Sequence, residues 1–147
     1  MASPIPNGAE RPSGSLVVVR TVDEVTSETF IRVTADGSVT AYNGHVDLGT
    51  GIRTALGQIV AEELDVSFAR VVVVLGDTSV VPNQGATIAS ASIQIHAVPL
   101  RAAAAQARAW LVAAAGGNPV DHAAIPGADL LLIVCSWPSK NFDGQIN

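Results

Sequence analysis

The sequence predicts an α/β (α+β) fold, built from strand-helix-strand units with a mixed sheet and two main helices. Three observations predict it. Short Val-rich stretches alternate in hydropathy or run apolar throughout, then give way between Ile52 and Leu64 to apolar residues three and four apart. A second, longer stretch from about residue 90 to 115 is Ala-rich, as a helix prefers. The 48% hydrophobic content is mostly Ala and Val, with 4% aromatics, so the core consists of small side chains that let helices lie close to strands.

Residues 1–14 are rich in Pro, Gly and Ser with little to bury, and read as a flexible N-terminal tail. Residues 16–19 and 29–34 read as strands. Asp36-Gly37 then favours a tight hairpin turn into a third strand at residues 38–42. Beyond a glycine-rich turn, Ile52, Ala55, Leu56, Ile59, Val60 and Leu64 share one helical face, with Arg53, Glu62 and Glu63 mostly on the other. The β-branched run at 71–75, closed by Gly76-Asp77-Thr78, has the pattern of a buried strand. The Ala-rich stretch predicts one long helix or a helix pair, with Arg101, Gln106 and Arg108 on a solvated face. Pro99 is expected to break or kink it, and Gly116-Gly117-Asn118-Pro119 to end it. Residues 130–135 are apolar enough for a last strand, and residues 136–147 read as an irregular C-terminal tail. One domain over residues 15–135 is the expected layout.

Eight Lys and Arg against thirteen Asp and Glu give a formal charge of −5, with no basic cluster along the chain. A nucleic-acid partner is therefore not expected, since phosphate neutralisation supplies most of that affinity. The acidic balance leaves an anionic cofactor possible, because backbone N–H groups can hold one without net charge. Cys135 is the lone cysteine, so the chain offers no intramolecular disulfide and no cysteine framework for zinc or iron–sulfur. The start of the chain lacks a signal-peptide pattern and no apolar stretch is long enough to span a bilayer, so a cytoplasmic chain without a membrane partner is expected.

Two segments stand out chemically. In GHVDLGTG, residues 44–51, glycines between a strand and a helix allow a tight turn and close approach to a ligand. Thr50 or Gly51 falls at the helix N-cap, where N–H donors and the positive dipole end could meet an anion; a purely structural turn accounts for the pattern equally well. The spacing partly mimics a Walker loop, but Thr50-Gly51 stands where Lys-Ser/Thr must follow, so nucleoside triphosphate is a poor fit. The second segment, residues 78–92, is dense in hydroxyls, amides and glycine at the carboxyl end of a strand, a place where ligand acceptors are often satisfied. Helix capping by Thr87, Ser90 and Ser92 is the alternative. Arg53 could contact a phosphate from the first helical turn. His45 and Asp47 flank the turn, yet His45 reads as an exposed hairpin residue. With His96 and His122 it shows no metal-ligand spacing.

Taken in order, the glycine-rich turn, the helix ending in Glu-Leu-Asp-Val, the Val-rich strand, Gly-Asp-Thr and Val-Pro-Asn-x-x-x-Thr-x-Ala-Ser-x-Ser resemble the large subunit of molybdenum hydroxylases, the xanthine dehydrogenase and aldehyde oxidase family. The resemblance covers about residues 30–112, and its start looks most like bacterial isoquinoline and nicotinate dehydrogenase-type subunits. It implies that Gly49, Thr50 and Gly51 approach the molybdenum centre, and that Thr87, Ala89, Ser90 and Ser92 hold the pterin and its phosphates. Many members carry Gln where Thr50 stands, and the shorter Thr could reach a ligand through a bridging water. The implied cofactor is molybdopterin, in plain or cytosine dinucleotide form. The implied substrates are N-heteroaromatic compounds or aldehydes, and the implied partners are an iron–sulfur subunit and the remainder of the large subunit.

The family's base, a carboxylate in a Gly-x-Gly-Glu segment, has no counterpart in this sequence, nor has its Gly-Gly-Phe-Gly motif. The chain therefore reads as an N-terminal portion of a molybdopterin-binding domain, without a complete active site and with apolar surface left uncovered, such as one face of the Ala-rich helix. A non-catalytic phosphate-binding or subunit-assembly module, or a truncated inactive product, are the alternatives.

Overall fold

The computed structural model describes residues 15–21, 27–114 and 131–135. The expected tails at 1–14 and 136–147, the helix stop at 116–119 and His122 lie outside these residues.

Five strands, β1 (Leu16–Thr21), β2 (Ser27–Val33), β3 (Val39–Asn43), β4 (Val71–Leu75) and β5 (Leu131–Cys135), form one sheet in the order β4-β3-β2-β1-β5. The sheet is mixed, as expected. β2 runs antiparallel to β1 and β3, whereas β3 and β4 are parallel, as are β1 and β5. Parallel neighbours cannot be joined by a hairpin, and the crossover from β3 to β4 is made by helix α1 (Ile52–Leu64). The Asp36-Gly37 hairpin forms between β2 and β3. Asp36 accepts from the Thr34 and Ser38 hydroxyls and from the Ser38 N–H, which lowers its pKa to about 2.

Pleating sorts the strands onto two faces. Val18, Ile31, Ala41 and Val73 make one row across the sheet and Leu16, Val33, Val39 and Val71 the next. Both rows belong to the core with Ile52, Leu56, Val60 and Leu64 of α1 and Leu100, Ala103, Ala104 and Ala107 of helix α3 (Ala97–Ala114). Alanines on the buried stripe of α3 let it approach both α1 and the sheet, as the composition implies. A bulge between Val18 and Val19 breaks the alternation of β2, so the consecutive Phe30 and Ile31 are both buried.

Two expectations are corrected here. The 71–75 run is an edge strand rather than a buried one. Its Val73 is buried, but Val72 is 61% exposed, in register with Thr40 and Arg32 on the face opposite the helices. Pro99 neither breaks nor kinks the helix. It occupies the first turn of α3, where its missing N–H costs nothing, and the Ala-rich stretch is instead divided at Ile95-His96, after the short helix α2 (Ala91–Gln94). Arg101 lies on a solvated face as expected, its side chain 68% exposed, and it is also paired. It meets Glu63 across the α1–α3 groove, while Arg108 lies 3.6 Å from Asp65 at the end of α1.

Leu56 is fully buried at the centre of this packing. Leu56→Ala is expected to lower unfolding free energy by about 2–5 kcal/mol in urea titration, since the rigid sheet beneath α1 leaves the cavity unfilled.

Candidate functional site

Because β3 and β4 are parallel neighbours, the segments leaving their carboxyl ends emerge side by side. These are the two chemically dense segments of the sequence. The first turns sharply into α1, with Gly51 at the N-cap in the left-handed region at φ 76°. Its cap is Asp47. One carboxylate oxygen accepts from the N–H groups of Gly49 and Thr50, each at 3.0 Å, and of Gly51 at 3.2 Å, and the other accepts from Arg53 at 3.2 Å. These donors hold the Asp47 pKa below the usual aspartate value. At the helix start the N–H groups of Gly51 and Arg53 are therefore engaged by the chain's own anion, not left open as the sequence pattern suggests. Arg53 is exposed, and its guanidinium donates to the Val73 carbonyl.

The second segment is fastened to the first through Gly44. A side chain there would collide with the Pro82 carbonyl oxygen, and its N–H donates to Gln84 Oε1 at 2.8 Å. Gln84 Nε2 and Asn43 Nδ2 both donate to the His96 carbonyl, at 3.1 and 3.2 Å, bringing the start of α3 to the same point. From the other side, the Asn83 N–H donates to Glu28, itself paired with Arg20.

His45 is not an exposed hairpin residue. It is 0% exposed, its ring centroid lies 4.0 Å from that of His96, and its Nδ1 is 3.0 Å from Thr87 Oγ1. Thr87 Oγ1 also accepts the Val46 N–H at 3.2 Å, so Thr87 joins two loops rather than capping a helix. Sequence spacing concealed this pair, because β4 and both loops separate its members. The one signal was an Asn-Gly-His run directly after a strand, where a polar side chain can turn inward.

Beyond Thr87 the chain passes through Ala89 and Ser90, both left-handed at φ 56° and 54°, before entering α2. Thr50, Thr87, Ala89, Ser90 and Ser92 line one cleft of about 380 Å³, with Val46, Leu48, Ile88 and Ile93 as its apolar lips. The fold thus gathers five of the seven expected site residues. Gly49 and Gly51 stand at the adjoining turn, with nothing within 4 Å of where a side chain would project. Ser90 is the N-cap residue of α2 but its side chain makes no capping bond. Of the described residues lining the cleft, none is Asp or Glu. Nor do three His, Cys, Asp or Glu gather anywhere among the described residues to hold a metal. No helix among them is long and apolar enough to cross a membrane.

Residues 10–129 match the model of a molybdopterin cofactor-binding domain. The chain belongs to that family. Relatives of this molybdopterin cofactor-binding domain include a nicotinate dehydrogenase subunit of Pseudomonas putida, 62% identical over 103 residues. Others are the xanthine dehydrogenase of Blastobotrys adeninivorans, 32% identical over 77 residues, and a probable xanthine dehydrogenase subunit of Bacillus subtilis, 37% identical over 70. The matched stretches cover 69%, 52% and 46% of this chain but 9%, 6% and 9% of those proteins, so the chain spans less than a tenth of their length.

Residues 44–51 and 78–92 are thus the paired loops of a molybdopterin cofactor-binding domain, and two substitutions test how they are held. Gly44→Ala should cost about 1–3 kcal/mol in chemical denaturation, because the obstruction is backbone and cannot rotate away. For Asp47 the sign follows from its lowered pKa. The ionised cap stabilises the fold above the ordinary value of 3.8, and that contribution is lost as pH falls through the lower folded-state value. Asp47→Asn should lower the melting temperature at neutral pH and flatten its acid dependence, though not abolish it, because Asp36 and Asp77 are also shifted down.

Proposed function

We propose that this chain is the molybdopterin-holding portion of an oxidoreductase that hydroxylates N-heteroaromatic or aldehyde substrates, and that its active site is completed by chain beyond it. The observation that carries this proposal is the single cleft lined by Thr50, Thr87, Ala89, Ser90 and Ser92. The residues fit the group on two counts. Hydroxyls and turn amides on the 87–92 side suit pterin and phosphate oxygens, and the side-chain-free positions 49 and 51 leave room for a flat ligand to approach.

The two sides of the cleft divide the work. Asp47 holds a negative charge against the Gly49–Thr50–Gly51 amides, so an anionic group would be repelled there and accommodated on the 87–92 side. Thr50, whose N–H is already used, offers its hydroxyl, directly or through a water. The bound cofactor supplies two-electron oxidation–reduction at its metal. With its carboxylate occupied by four N–H donors, the neighbouring Asp47 is unsuited to act as a base, and the described residues lining the cleft include no Asp or Glu.

The apolar lips support the proposed partners. Leu48 is 74% exposed and Ile88 68%, with Val46 and Ile93 beside them. This exposure flanks the cleft; on the Ala-rich helix, where it was expected, only Val98 is a large exposed apolar side chain among the described residues. Closure of the remainder of the large subunit over these lips would bury them and enclose the cofactor. The iron–sulfur partner, the cytosine dinucleotide form and a cytoplasmic location complete the proposal. Within the substrate range the relative named nicotinate dehydrogenase favours an N-heteroaromatic ring.

In the full-length subunit purified from its native host, Ser90→Ala combined with Ser92→Ala should reduce molybdenum content, by metal analysis, and pterin fluorescence in parallel. The 147-residue chain alone should not oxidise nicotinate with an electron acceptor. Unchanged metal and pterin in the double variant, or turnover by the isolated chain, would overturn the proposal.

A further inference from the structure

His45 and His96 line no part of the cleft, yet they sit between the two loops that form it. His45 follows Gly44, precedes the Asp47 cap and is fully buried, and its ring packs at a tilt of 42° against that of His96. A buried imidazole is unusual unless its nitrogens are used. Here one is used and one is not. Nδ1 meets Thr87 Oγ1, whereas Nε2 is shielded from solvent without a hydrogen-bond partner. An apolar ring would fill the space without that cost, so the contact with Thr87 is the part the fold retains.

Thr87 can satisfy this contact in either imidazole tautomer, because its hydroxyl accepts the Val46 N–H and can still donate to, or accept from, Nδ1. Two residues on, Ala89 and Ser90 lie in a left-handed conformation disfavoured for residues with a side chain. Such strain persists where the surroundings over-determine it. Thr87 is the anchor on the upstream side, fixed by His45 and Val46, and His96 follows α2 on the downstream side, its carbonyl fixed by Asn43 and Gln84.

We propose that His45 and His96 are positioning residues: packed against each other at a tilt of 42°, with His45 hydrogen-bonded to Thr87, they set the strained turn at 89–90 at its distance from the glycine turn at 49–51. Burial supports this by lowering the pKa of both rings, with His96 adding to the effect at His45, which favours the uncharged form of the pair. That the turn serves a cofactor rests on the proposed function. That the histidines position it does not.

The test is amide hydrogen exchange of the 147-residue chain, read segment by segment. His45→Phe keeps the ring and removes Nδ1. It should speed exchange of residues 87–92 and of Val46 on the order of tenfold, the loss of about one net hydrogen bond, while β2 and the centre of α1 stay unchanged. His45→Gln, which can reach Thr87 with an amide, should restore much of the protection. If His45→Phe does not fold, Thr87→Val in the presence of His45 provides the same readout. Unchanged exchange at 87–92, or a uniform rise over the whole chain, would overturn the positioning role. Molybdenum content of the full-length subunit separates this proposal from the cofactor-binding one. A loss in the His45→Phe protein supports the positioning of a cofactor turn. Unchanged metal in the Ser90 and Ser92 variants overturns cofactor binding and leaves the exchange result to decide the histidines.

Discussion

Residue 44 lies where two loops meet with no room for a side chain, and the arrangement of the cleft depends on that contact. The Pro82 carbonyl occupies the space a Cβ would need, and the Gly44 N–H reaches Gln84 because nothing stands between them. The remaining links between the loops are hydrogen bonds of ordinary length whose partners are already near. Asn43 and Gln84 converge on the His96 carbonyl, and Thr87 on His45 and Val46. These bonds specify the join more than they drive it. The bulk of the stabilisation comes from the apolar rows of the sheet beneath α1 and α3.

This division explains why the cleft tolerates strain. Two consecutive left-handed residues that are not glycine cost roughly 1–3 kcal/mol each. A free surface loop would relax them, but here the loop is tied at Asn83, Gln84 and Thr87 before the turn and at His96 after it. Asp47 does the equivalent for the other loop by gathering four N–H groups at once. The two turns are therefore rigid for different reasons. One is self-capped by its own carboxylate, and the other is held by its neighbours.

Most of the fold was legible in the sequence because periodicity reports directly which residues face a core. The helix at 52–64 and the strand at 71–75 have the bounds expected of them, since Gly51 and Gly76 punctuate both. Periodicity says nothing of which strand lies at an edge, and a run of five apolar residues looks the same whether one face or two is covered. Val72 is the consequence. Nor does sequence order reveal contacts made across a parallel crossover. His45 and Thr87 are brought together only because β3 and β4 run in the same direction. The family resemblance, in contrast, named Thr50, Thr87, Ala89, Ser90 and Ser92 as contacts of one cofactor, and these five residues line one cleft.

The helix start at Gly51 is the place where a local rule and the fold disagree. Free N–H groups at a glycine-rich turn suggest an anion site, and that inference assumes that nothing in the chain reaches them first. Asp47, four residues earlier, does so and stays ionised. A glycine turn capped in this way has a different use. In the proposed cofactor site it would bring bare backbone close to the ligand without a free positive end, leaving charge recognition to the hydroxyl-rich turn opposite. On that proposal the separation of shape from charge across the cleft follows from one carboxylate, so Asp47 would matter as much to the site as the residues that line it.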